Sequence, residues 1–201
     1  MSPGQTFERV YLELKRQLRD GTRPPGTPLE PAAIGDELGT SFTPVRDVLH
    51  RLVGEGMVEN PLHNGFAVPH LTEQALRDLY AWNGQLIAMM LGQPRSQAEA
   101  LAVSLKDAQG DKPTTMETLF LAIAGASGNR ERVRAIAQLN DRLAPYRLAE
   151  PKFIKDAEEE VDALLRPITP HDVTGLSRSM ARYHKRRMAA APHILAALAA
   201  G

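Results

Sequence analysis

The sequence predicts a mainly α protein in two parts. An N-terminal winged helix-turn-helix occupies residues 1–70, and a C-terminal all-α antiparallel helical bundle occupies residues 71–201. Three observations carry this reading. Apolar residues recur at helical spacing in three short runs before Gly54. A hairpin signal, Asn64-Gly65, follows them. From Thr72 onward the pattern is helical almost to the end, with no strand alternation or internal repeat.

In the first run, Phe7, Val10, Tyr11, Leu14 and Leu18 share one face, with Glu8, Arg9, Glu13, Lys15 and Arg16 on the others. Gly21 and the segment Thr22-Arg23-Pro24-Pro25-Gly26 end that helix. A short second helix starts near Pro31, whose fixed φ suits a first turn, and turns Ile34 and Leu38 inward before Gly39. The third begins at or just after Ser41 and buries Val45, Val48, Leu49 and Leu52. That leaves Phe42, Thr43, Arg46 and His50 facing solvent or a partner. Two helices joined by a tight glycine-containing turn form a helix-turn-helix, whose second helix enters the major groove. The hairpin, Met57-Val58-Glu59 against Phe66-Ala67-Val68, completes a winged helix.

Pro69-His70-Leu71 makes a short linker. Candidate helices then lie at about 72–91, 96–109, 115–127, 129–148, 154–166 and 170–189, with a small Ala-rich helix after Pro192. Short connections make such helices antiparallel neighbours.

Composition narrows the function classes. The chain is 43% hydrophobic and 24% charged, ordinary for a globular protein, and no segment is apolar enough to span a bilayer. The N-terminus has no apolar core of the secretory kind. With no cysteine there is neither a disulfide nor a thiolate nucleophile or ligand, and a reducing cytoplasm is the expected location. There is no P-loop, G-x-S-x-G elbow, H-E-x-x-H or Gly-rich dinucleotide loop, so an enzyme is not expected. Charge runs the other way from a typical DNA binder: 24 basic residues balance 24 acidic ones, and residues 1–70 hold 7 of the former and 9 of the latter.

The run Pro25-Gly26, Leu29-Glu30, Leu38-Gly39-Thr40-Ser41 and Thr43-Pro44-Val45-Arg46-Asp47-Val48-Leu49 resembles the GntR superfamily of regulators. So do Arg51-Leu52, Glu55-Gly56-Met57-Val58 and the wing Asn64-Gly65-Phe66-Ala67-Val68. The second part is similar to the FadR-like branch and its FCD effector domain through Phe120, Ala122-Ile123-Ala124 and Ala126-Ser127-Gly128-Asn129.

The resemblance implies a homodimer on a near-palindromic operator in double-stranded DNA, with a small organic effector in the helical part. It assigns DNA contact to Ser41, Phe42, Thr43, Arg46 and His50, and to His63, Asn64 and Gly65 at the wing tip. Relatives place Arg where Phe42 stands, and Phe cannot make arginine's bidentate contact to guanine. Members of the branch often hold a divalent metal through one Asp and three His. Here Glu117, Leu121 and Val161 or Asp162 stand at three of those positions, and only His184 matches, so no cofactor is expected.

Asn83, Glu117, Asn129 and His184 are the candidate effector-pocket residues. Each has a plainer reading. Asn83 interrupts an apolar helix face and needs a partner, either a ligand or a neighbouring helix. Thr114 and Glu117 have capping-box spacing. His184, beside Met180, Tyr183 and Met188, fits a satisfied core histidine. The basic run Arg182, Lys185, Arg186 and Arg187 reads as a solvated helix face. Two rival functions remain: a DNA binder that needs no ligand, and a winged helix that contacts another protein.

Overall fold

The computed structural model describes residues 3–61, 65–92, 115–165 and 173–199. Its first unit contains α1 (Pro3–Arg19), α2 (Pro31–Glu37) and α3 (Phe42–Gly54). Val10, Tyr11, Leu14 and Leu18 of α1 meet Ile34 of α2 and Val45, Val48, Leu49 and Leu52 of α3 in one core, closed by Leu29, Met57, Val58, Phe66 and Val68. Each such aliphatic side chain contributes roughly 2 kcal/mol on leaving water, which holds these short helices in place. The turn from α2 to α3 is close. Thr40 N donates to Gly35 O at 2.9 Å, and a Cβ on Gly35 would lie 2.9 Å from the Thr40 carbonyl oxygen, so glycine alone fits.

The wing differs from the expected hairpin. Glu59 and Ala67 exchange both backbone hydrogen bonds, at 2.9 and 3.0 Å, but the described residues form isolated bridges rather than strands. Prolines 28, 61 and 69 remove backbone donors from all three segments, which limits the ladder. The segment before α2 also joins: Leu29 N donates to Phe66 O and Val68 N to Thr27 O. Gly65 has φ +89°, the conformation a tight turn demands of it.

The second unit contains α4 (Glu73–Leu91), α5 (Met116–Ala126), α6 (Arg130–Arg147), α7 (Ala157–Leu164) and α8 (Val173–Ala199), with one 3₁₀ turn at Glu150–Lys152. The candidate helix at 96–109 lies outside the described residues. A separate core running from Leu76 to Ile194 unites these helices. α4 and α8 make the most extensive contact, because Gly84 lets them approach: a Cβ there would sit 3.0 Å from the His184 ring.

Two expectations need correction. The helix does not stop before Pro192; α8 runs through it to Ala199. Proline leaves the carbonyl four residues earlier without its donor. That carbonyl, on Met188, instead accepts from Arg77 Nε of α4 at 3.1 Å. The capping box at the start of α5 is shifted by one residue. Thr115 is the N-cap, accepting from Thr118 N at 3.3 Å, while Thr118 Oγ1 accepts from Thr115 N at 2.8 Å.

Candidate nucleic-acid interface and ligand cavity

Burial of Val45, Val48, Leu49 and Leu52 forces Ser41, Phe42, Thr43, Arg46 and His50 of α3 to the outside, and all five are exposed. Ser41 is the N-cap residue, yet its hydroxyl makes no capping bond. Phe42 is 47% exposed and lies under the Arg46 guanidinium, 6.0 Å from its ring centre. His50 meets Phe66 of the wing edge-on, with ring centres 5.0 Å apart, so the recognition helix and the wing form one surface. His63 and Asn64 lie outside the described residues, while Gly65 stands exposed at the wing's edge.

The charge balance of this unit now has a structural explanation. Arg16 pairs with Glu13 and Asp20, Arg23 with Glu37, and Arg51 with Glu55. Lys15 and Arg19 face the second unit, where both bind Asp141, at 2.6 and 2.5 Å. Burial is the largest single influence on Lys15 and would lower its pKa, but the hydrogen bonds to Asp141 and Tyr11 and the charges of Asp141 and Glu55 together outweigh it and hold the ammonium protonated. Among the described residues only Arg9 and Arg46 of this unit lack a carboxylate partner, and Arg9 donates to the Leu38 carbonyl. Arg46 is exposed and has only the Phe42 ring beside it.

A cavity of about 700 Å³ opens where α1 meets the helical unit. Arg16 and Arg19 of α1 line one side; Glu117 of α5, Arg147 of α6, Val161 of α7 and Arg187 of α8 line the others. Arg19 Nη2 donates to Glu117 at 2.6 Å, so the cavity wall includes an ion pair between the two units. Of the four expected pocket residues, Glu117 alone lines this space. Asn129 caps α6, its side chain accepting from the backbone of Glu131 and Arg132.

Asn83 and His184 are fully buried against each other. His184 Nδ1 lies 2.8 Å from the Met180 carbonyl, and Nε2 lies 2.7 Å from the Asn83 amide. Burial pushes the His184 pKa down to about 4, so the ring is neutral and has one N–H. If that N–H serves the Met180 carbonyl, Nε2 is an acceptor facing Asn83 Oδ1, and the pair is satisfied when the Asn83 amide is turned so that Nδ2, otherwise without a partner, donates to Nε2.

Residues 6–68 match the bacterial regulatory proteins of the gntR family. The first unit is thus of the gntR type. Along nearly its whole length the chain is 26% identical to the HTH-type transcriptional regulator McbR of Escherichia coli strain K12, over 90% of each chain. Its fold is that of two solved structures. One is E. coli McbR/YncC, with a TM-score of 0.65 at 24% identity over 96% of this chain and 98% of the other. The second is a putative GntR regulator from Rhodococcus sp. RHA1, with a TM-score of 0.72 at 17% identity over 93% and 97%. No helix among the described residues is long and apolar enough to cross a membrane.

The family metal positions hold residues already committed elsewhere. Glu117 binds Arg19, His184 spans Met180 and Asn83, and among the described residues no three His, Asp or Glu converge. Sequence reading missed the arginines. Arg187, expected on a solvated face, is wholly buried: Nε donates to Glu150 at 3.0 Å, Nη1 to Glu160, and the guanidinium lies 3.5 Å from the Tyr183 ring centre. The rest of that run behaves differently, with the Arg182 side chain 71% exposed. Glu150 and Glu160 come from outside α8, across a fold that no local pattern reveals.

Proposed function

We propose that this protein is a gntR-family regulator that acts as a homodimer on a near-palindromic operator and that a small molecule in the cavity adjusts its grip on DNA. The observation that carries this reading is the start of α3, which offers Ser41, Thr43 and Arg46 to solvent with no carboxylate partner for Arg46. Helix N-terminal residues of this kind reach base edges in the major groove while neighbours fix phosphates. Phe42 replaces a guanine-reading arginine and suits a thymine methyl. Trp82, 50% exposed on α4, supplies apolar area for the dimer contact. The cavity touches both units, so an occupant bears directly on where the winged helix sits. A cofactor-free protein fits the commitments of Glu117 and His184 described above.

Selection from random duplex DNA tests the reading, with wild type and Arg46→Ala in parallel. Enrichment of a two-fold symmetric site by wild type, lost in the variant, is expected. Enrichment of no site by wild type would move the function to protein contact through the same winged helix.

A further inference from the structure

We propose that Phe42 and Arg46 of α3 together read one dinucleotide step in each half-site, a thymine followed on the same strand by a guanine. Phe42 takes the thymine methyl and Arg46 the guanine edge. This rests on the DNA-binding reading above and names the bases it meets. Three observations converge on it.

The first is the exposure of Phe42. The core of the winged helix closes without it: Val45, Val48, Leu49 and Leu52 fill the inner face of α3, and Phe42 has no place in that cluster. Its side chain opens the helix 47% exposed. An apolar ring gains nothing from a phosphate. In the major groove the thymine methyl is the apolar group that base edges present, so a ring carried into the groove meets its complement there.

The second is the neighbour. Arg46 lies one turn further along, exposed, with its guanidinium 6.0 Å from the Phe42 ring centre. Arg16, Arg19, Arg23 and Arg51 are each tied to a carboxylate, whereas Arg46 has none among the described residues. A guanidinium is the bidentate partner of guanine O6 and N7. Successive bases stack about 3.4 Å apart, so two side chains this close address neighbouring pairs. Pyrimidine–purine steps unstack most readily, which admits the ring beside the methyl and places thymine on the 5′ side of guanine.

The third is the frame that holds the pair. Thr40 N on Gly35 O, at 2.9 Å, fixes the turn into α3, and the Ser41 hydroxyl is exposed and makes no capping bond. Further along the helix His50 is engaged edge-on by Phe66 of the wing. Helix-turn-helix proteins turn the first residues of this helix to base edges while flanking hydroxyls fix on phosphates. Phe42 and Arg46 occupy that end, and Ser41 and Thr43 flank them.

Duplexes that differ by a single group test this. The site that wild type selects from random DNA should carry TG in each half-site. Replacing that thymine by deoxyuridine in one half-site removes only the methyl. In fluorescence anisotropy at fixed salt, it should weaken binding about three- to fivefold, the worth of one buried methyl. A CG step should bind weakly, and 5-methylation of its cytosine should recover about the same factor. Replacing the guanine by 7-deazaguanine, which lacks N7, should weaken binding by wild type and leave Arg46→Ala unaffected. Phe42→Ser, checked for folding by circular dichroism, should bind the thymine and deoxyuridine duplexes equally, and Phe42→Leu should keep part of the discrimination. Equal affinity of wild type for those two duplexes overturns the inference, as does a selected site with no TG step. Discrimination that persists in Phe42→Ser gives the methyl to another residue and overturns the assignment as well. If a symmetric site is selected but is indifferent to the methyl, this inference fails and the DNA-binding reading stands. If no site is selected, both fail.

Discussion

Arg77 of α4 donates to the carbonyl of Met188, the acceptor that Pro192 cannot serve, across 111 positions of sequence. The proline inside α8 is thus tolerated because another helix supplies the missing donor. Arg77→Ala should cost about 1 kcal/mol in chemical denaturation, the worth of a partly exposed hydrogen bond. Pro192→Ala should erase most of that cost by restoring the helical donor. A double-mutant cycle with no coupling would refute the link.

The pair between Arg19 and Glu117 joins the two units, but both side chains are about 30% exposed. Its coupling energy should therefore stay below about 1 kcal/mol. A cycle of Arg19→Met and Glu117→Gln, read by thermal unfolding, measures it directly.

His184 makes stability pH-dependent. The unfolded imidazole titrates near 6.5 and the folded one near 4, because burial penalises the cation. Between those values the unfolded chain binds a proton that the native chain refuses. The contribution is complete above pH 6.5 and is lost as pH falls towards 4, by up to about 3 kcal/mol. His184→Gln should flatten that part of the stability curve, and an unchanged slope would sink the assignment.

Arg46→Ala should weaken operator binding about ten- to hundredfold, the range of one specific base contact, with no change in melting temperature. His50→Ala tests the wing: losing its edge-on contact with Phe66 should reduce affinity less, because His50 orients the surface from beside it. Fluorescence anisotropy on the selected duplex reads both.

Gly35→Ala should destabilise the winged helix by about 2–3 kcal/mol, since the added carbon meets a backbone oxygen that cannot yield. Gly84→Ala should cost a comparable amount, since the added carbon meets the base of the buried His184 side chain, with Cγ at 3.0 Å and Cβ at 3.2 Å. Thr115→Ala should cost about 1 kcal/mol through the lost cap. Urea unfolding of the three variants ranks them.

The helices and the reading face were legible in the sequence because they depend on local periodicity. Val45, Val48, Leu49 and Leu52 fall on one side of a 3.6-residue turn, and this alone sends Thr43 and Arg46 outward. The capping box was misplaced by one position because Thr114 and Thr115 offer the same hydroxyl, and only backbone geometry at Thr115 chooses between them. Tertiary structure decided the fate of the polar residues. Whether Arg187 meets water or Glu150 and Glu160, whether Asn83 meets a ligand or His184, and whether Pro192 ends a helix or Arg77 rescues it all depend on partners brought together from distant parts of the chain. An apolar side chain is satisfied by any apolar neighbour, so its spacing suffices to place it. A buried donor or charge needs one particular partner at hydrogen-bond distance, and only the packed fold supplies that partner.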